Sequence, residues 1–266
     1  MNLRFLFAAF MFSLLLPLQL SANETVSIGN QSLSIPLPAP FVRVDGLSKL
    51  VDQAMASMLP PSNRSLMMIA TPADAARIKA GTPGDMPRFM SVQTLREAES
   101  QTISLREFKE ISEELEKQFS AGGSGMQTAQ SQINQQLKNN NLGVDLKLGE
   151  TRSLGIYEKS PQAFQFGLMM KAQIGGGAPE TIVASASVLN VKGKILYLYV
   201  YADFHSQADT DWSRTTLKAW TDSILAANPG EVPAGGFDWN SVFGKGLIGA
   251  LVGGFVALLV KFFKRN

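Results

Sequence analysis

The chain has 266 residues, a formal net charge of +2 and 45% hydrophobic residues, which is the composition of a globular protein. It has no cysteine and a single histidine, which excludes disulfides, thiolate chemistry and metal sites built from several histidines. Basic and acidic residues are mixed along the chain, so no nucleic-acid partner is expected.

The N-terminus, residues 1–22, has the pattern of a secretory signal peptide. Arg4 is followed by an uncharged apolar run, and Pro17 precedes the small residues Ser21 and Ala22 at the expected cleavage point. An uncleaved anchor is the alternative, because Leu20 is not the small residue favoured near such a cut. We therefore expect a folded domain over residues 23–228, outside the cytoplasm.

The first half of this domain mixes short strands and helices. Strands are predicted at 26–35, 41–44, 66–70 and 89–95, with helices at 48–59 and 73–80. The clearest helix spans residues 104–119, where Ser104 and Glu107 form a capping box. The Gln/Asn-rich stretch 127–141 is predicted to be a peripheral helix, with disorder as the alternative.

The second half consists of strands followed by one long helix. Strands are predicted at 144–148, 153–158, 163–174, 181–191 and 195–202, and Lys192-Gly193 forms the tight turn before the last strand. Both faces of that last strand are apolar or aromatic, so it is expected to be central and covered on both sides. A final helix at 211–227 packs through Leu217, Trp220 and Ile224.

This order of elements predicts an α+β fold on a largely antiparallel sheet flanked by helices. The layout resembles the PsbP-like fold family. The resemblance is carried by the strand running into Pro36-Leu37-Pro38-Ala39-Pro40-Phe41, by the late hairpin at Lys192-Gly193, and by the closing helix with Trp220. It implies a non-enzymatic accessory or assembly role, by analogy of fold.

The C-terminal region predicts a linker at 229–240, a transmembrane helix at 241–263 and a basic cytoplasmic tail at 264–266. These features predict a single-pass protein of the bacterial inner membrane with its domain in the periplasm. A GPI attachment signal is the alternative. Small residues recur every four positions in the predicted span, as in helices that pair in lipid. They are Gly246, Gly249, Ala250, Gly253, Gly254 and Ala257.

Candidate site residues are few. His205 and Asp203 follow the last strand and are the residues from which a hydrolase site could be built. Tyr197, Tyr199 and Tyr201 share one strand face and are the candidates for a ligand groove. Asp203, Asp209 and Asp211 do not have the spacing of a calcium loop, and neither a metal nor a cofactor is expected.

The sequence thus favours a membrane-anchored, non-catalytic binding or assembly module of the bacterial envelope. Its expected partners are the membrane and either another protein or a second copy of the chain through the predicted span. An envelope hydrolase using His205 and Asp203, and a small-ligand carrier, are the alternatives.

Overall fold

The computed structural model of the protein describes residues 23–82, 84–120, 131, 134–135, 146–174 and 177–235. The strands in these ranges are β1 (Asn23–Ile28), β2 (Gln31–Pro36), β3 (Val42–Arg43), β4 (Asn63–Ala70), β5 (Arg88–Leu95), β6 (Leu146–Lys159), β7 (Ala163–Ile174), β8 (Glu180–Val191) and β9 (Lys194–Asp203). The helices are α1 (Lys49–Met58), α2 (Pro72–Lys79), α3 (Leu105–Ser120) and α4 (Gln207–Ala227), with one 3-10 turn at Arg96–Ala98.

A seven-stranded antiparallel sheet forms the centre, in the order β3-β4-β5-β9-β8-β7-β6. β9 is the middle strand, and its residues from Lys194 to Ala202 are buried. The prediction that this strand is central and covered on both sides is therefore confirmed. The tight turn before it is also confirmed, because Lys192 and Gly193 both have positive φ values, 52° and 81°.

The two faces of the sheet have different partners. On one face, which we call the tyrosine face, the three tyrosines of β9 pack with apolar residues of α1, α2 and α3 such as Met55, Ile78 and Phe108. On the other, the α4 face, the intervening residues of β9 pack with Leu217, Trp220 and Ile224 of α4 and with a hairpin of β1 and β2. Helices thus flank an antiparallel sheet, as the α+β prediction states.

Helix starts follow local capping chemistry. Ser104 and Glu107 form the predicted capping box at α3: the Glu107 carboxylate accepts from the Ser104 backbone N–H at 2.7 Å, and Ser104 Oγ accepts from the Glu107 N–H at 3.2 Å. α4 begins earlier than predicted, because Ser206 is its N-cap and Asp209 completes a second capping box. Asp209 and Asp211 therefore lie inside the helix.

Two strand predictions are corrected. The predicted strand at 26–35 is two strands, because Gly29 adopts φ +56° and turns the chain back on itself. A Cβ at Gly29 would lie 2.4 Å from the Glu99 carbonyl oxygen, so only glycine fits this turn without movement. In the second half, the predicted strands at 144–148 and 153–158 belong to one long strand, β6.

The predicted transmembrane part of the fold class is wrong. Within the described ranges, no helix has the length and apolar character needed to cross a membrane. α4 has 21 residues, but charged residues such as Arg214 and Lys218 lie in its middle. The single-pass inner-membrane localisation is corrected with it. The predicted signal peptide at 1–22, the span at 241–263, its small residues and most of the Gln/Asn-rich stretch lie outside the described residues.

Candidate functional site

A cleft separates α4 from β6, one of the two edge strands of the seven-stranded sheet. It consists of two adjoining cavities of about 470 and 420 Å³ that share Tyr157 and Arg214. One wall runs along β6 from Arg152 to Glu158, and the other runs along α4 from Gln207 to Asp222. At about 1.5 Å per helical residue, the α4 wall is ~22 Å long. We call this feature the α4–β6 cleft.

β-bulges in β6 decide which side chains reach the cleft. The pairing with β7 shifts register between Ile156 and Glu158, so that Tyr157 is an extra residue opposite a continuous partner strand. As a result Tyr157 and Glu158, although consecutive, both line the cleft. A second shift, between Ser153 and Gly155, accompanies Leu154, which lines the neighbouring cavity.

Gly167 on β7 makes room for Tyr157. A Cβ at Gly167 would lie 1.8 Å from the Tyr157 hydroxyl oxygen and 2.3 Å from its Cζ. The tyrosine ring therefore lies across the glycine, which faces the cleft side of the sheet. Burial raises the pKa of Tyr157, while Ser185 and the Arg214 charge oppose that rise, so the phenol is neutral at physiological pH.

Charged residues along the cleft fall into paired and unpaired groups. Lys218 Nζ lies 2.8 Å from Glu158 Oε2 and 3.4 Å from Asp222 Oδ2, and the bond to Glu158 is the main cause of its raised pKa. Arg214 instead stacks over the Tyr157 ring, with its guanidinium carbon 4.9 Å from the ring centroid. In the part of the chain that the structure describes, neither Arg214 nor Arg152 has a carboxylate within 4.0 Å.

Several buried polar atoms at the cleft also have no hydrogen-bond partner among the described residues. They are Tyr157 Oη, Gln165 Nε2 and Thr210 Oγ1. Gln165 is only 1% exposed and Thr210 only 8%, so water reaches them poorly. The Tyr157 hydroxyl lies near Ser185, whose Oγ is 2.9 Å from Ser213 Oγ, but it makes no well-formed hydrogen bond. Unsatisfied buried polar groups reduce the stability of the folded state.

The residues singled out from the sequence lie elsewhere. Tyr197, Tyr199 and Tyr201 are each 0% exposed, and Tyr201 stacks on Phe89 with ring centroids 4.5 Å apart. Burial raises their pKa values, and neither cavity of the α4–β6 cleft is lined by them.

His205 and Asp203 do not line the cleft either. His205 is exposed and its backbone N–H donates to the Asp209 carboxylate at 3.0 Å, while Asp203 ends β9 and pairs with Ile182. No group of three or more His, Asp and Glu residues suited to a metal ion occurs in the described ranges. The small residues proposed for helix packing, from Gly246 to Ala257, lie outside them.

Sequence reasoning missed the cleft residues Arg152, Tyr157, Gln165 and Arg214. A bulge cannot be read from the alternation of residues, and the two walls lie far apart in the chain. Gly167 inside a predicted strand was the available signal, because an isolated strand glycine often marks a bulge or a close approach.

The fold defines an α+β class of protein in which an antiparallel sheet lies between two helical layers. No protein-family model and no curated protein matches the chain. Among solved structures, the chain is similar to the Saccharomyces cerevisiae Ran-binding protein Mog1p, with TM-score 0.37 and 8% identity over 78% of this chain and 94% of that one. It is also similar to cyanobacterial PsbP (CyanoP) from Synechocystis sp. PCC 6803, with TM-score 0.32 and 11% identity over 79% of this chain and 94% of that one.

These scores describe a similarity of layout alone. A PsbP-like protein, the resemblance predicted from the sequence, is thus among these neighbours, and nothing in the likeness identifies what this chain binds.

Proposed function

We propose that this protein is a non-catalytic binding module that holds an extended segment of a partner protein in the α4–β6 cleft. The observation that carries this proposal is the pair of adjoining cavities along α4 and β6, which share Tyr157 and Arg214 as lining residues. An extended strand advances about 3.3 Å per residue, so a cleft of ~22 Å accommodates roughly seven residues.

The chemistry of the walls suits a peptide. Leu154, Met169 and Ala219 provide apolar contacts, and the exposed polar residues Gln207 and Thr215 line the same walls. A peptide backbone offers a donor and an acceptor at each residue, which matches polar side chains of this kind. The hydrolase alternative has less support, because the exposed His205 does not line this cleft.

The test is a selection of displayed random peptides, about seven to nine residues long, on the full chain. Ala219→Trp fills the cleft from the α4 wall, and Ala226→Trp is the matched control, since Ala226 is also exposed on α4 but lines neither cavity. We expect selected peptides to bind the wild type and Ala226→Trp equally and to bind Ala219→Trp at least tenfold more weakly. Peptides that bind all three proteins alike, or a selection that enriches none, would contradict the proposal.

A further inference from the structure

We infer that the segment held in the α4–β6 cleft carries an Asp or Glu side chain whose carboxylate is bound by Arg152 and Arg214. This inference rests on the proposed function and adds the chemistry by which the partner is recognised. The two arginines line the same cavity from opposite walls, Arg152 on β6 and Arg214 on α4.

The pairing of the charged groups selects the sign of the ligand. The cleft walls carry three cations, Arg152, Arg214 and Lys218. They also carry three acidic residues, which are Glu158, Asp211 and Asp222. Of these, Glu158 and Asp222 are already engaged by Lys218, and Asp211 accepts a hydrogen bond from Gln207 Nε2 at 3.1 Å. Of the three cations that line the cleft, Arg152 and Arg214 are the two left without a carboxylate among the described residues.

Arg214 is also held in place for binding. Its guanidinium lies over the Tyr157 ring, which the bulge in β6 and the absence of a side chain at Gly167 allow to lie flat against the sheet. A guanidinium stacked on a ring still presents its N–H groups in the plane, where they match a carboxylate. Less side-chain entropy is then lost when a ligand binds.

The position of the two arginines agrees with an acidic ligand. A carboxylate accepts from guanidinium N–H groups, whereas a basic segment would leave both arginines without such an acceptor.

The experiment uses the peptides selected on the full chain. The relevant peptides are those that bind the wild type but bind Ala219→Trp weakly, and we expect them to share an Asp or Glu. Replacing that residue by Asn or Gln should weaken binding to the wild type by about tenfold to a hundredfold in Kd. In the double variant Arg152→Gln/Arg214→Gln the same replacement should change Kd by less than about threefold. Arg106→Gln, the same type of substitution at an exposed arginine of α3, should leave the wild-type difference intact.

The outcomes separate this inference from the proposed function. Peptides that require an open cleft but lack an acidic residue overturn the carboxylate inference and leave the binding function standing. The inference is also overturned if replacing the acidic residue of the peptide weakens binding to the double arginine variant as much as it weakens binding to the wild type. Absence of any cleft-dependent peptide overturns both. Succinate is the small-molecule arm, and binding as tight as that of the best peptide would identify a small dicarboxylate as the occupant and overturn the peptide assignment.

Discussion

Gly167→Ala is expected to destabilise the protein because the added methyl group meets the ring of Tyr157. The new Cβ would lie 1.8 Å from the hydroxyl oxygen, 2.3 Å from Cζ and 3.0 Å from Cε2 of that residue. Gly167 does not have a positive φ, so alanine adopts its backbone conformation without strain. The whole cost therefore comes from the collision of side chains.

The size of the effect follows from the displacement of a packed ring. Overpacking of this kind costs about 1–3 kcal/mol. In a Tyr157→Ala background the obstacle is gone, and alanine replaces a strand glycine with a gain of roughly 0.5–1 kcal/mol in the free energy of unfolding. Gly167→Ala should thus lower the free energy of unfolding of the wild type and raise that of the Tyr157→Ala variant. The coupling free energy between the two substitutions should be at least ~1 kcal/mol.

Urea denaturation of the wild type, both single variants and the double variant measures this coupling. Gly149→Ala is the control on the same β6–β7 ladder, because its new Cβ has its nearest contact, the Lys171 Cβ, at 3.3 Å. Its effect should be smaller than that of Gly167→Ala. An equal loss of stability from Gly167→Ala in both backgrounds would refute the account of the ring lying across the glycine.

Other contacts lead to three further predictions, all measured as the free energy of unfolding. Asn228→Ala should cost about 2–4 kcal/mol, because the Asn228 side chain joins α4 to β2. Its amide accepts a hydrogen bond from the Ser34 N–H at 2.9 Å and donates one to the Ser34 carbonyl at 2.7 Å. Asn228→Asp should not restore stability, since a carboxylate cannot donate to that carbonyl. Lys194→Met should cost about 1–3 kcal/mol, because Lys194 is 2% exposed and its ammonium donates to two backbone carbonyls. The control is Lys171→Met, at an exposed lysine, and a smaller loss of stability for Lys194→Met than for this control would contradict the prediction. Asp209→Asn should cost about 0.5–2 kcal/mol at neutral pH. Backbone N–H donors, first that of His205, lower the pKa of Asp209. The stabilisation by this carboxylate is therefore complete above its ordinary pKa of 3.8 and is lost as the pH falls through the lowered pKa. A greater stability of the wild type over Asp209→Asn that persists at still lower pH would contradict the role of this carboxylate.

Local sequence determined the elements of the second half of the domain closely. β7 spans the predicted residues 163–174, β8 begins one residue before its predicted range, and β9 extends one residue beyond its predicted range at each end. Alternation of side chains and a glycine turn are local properties, so they are visible before the fold is known. The capping box at Ser104 and Glu107 is another such signal.

The boundaries of some strands depend on the strands with which they pair, and the exposure of a strand face depends on the elements that cover it. Gly29-Asn30 is a two-residue hairpin turn that local sequence can signal, and the tertiary structure adds the close approach of Gly29 to the Glu99 carbonyl. β6 is a single strand because β7 pairs along most of its length, across register shifts that hide its periodicity. Alternation along β9 indicates a tyrosine face that could line a groove, whereas in the fold α1, α2 and α3 cover that face.

The amino-acid sequence by itself determined the α+β class, the central place of β9 and the helices that pack on the sheet, because burial patterns repeat with the period of each element. Only the tertiary structure decided where the cleft lies. Arg152 and Arg214 are brought to opposite walls of one cavity by the order of the strands and the placement of α4. A bulge then turns Tyr157 towards them, and its effect depends on pairing with a neighbouring strand rather than on local sequence.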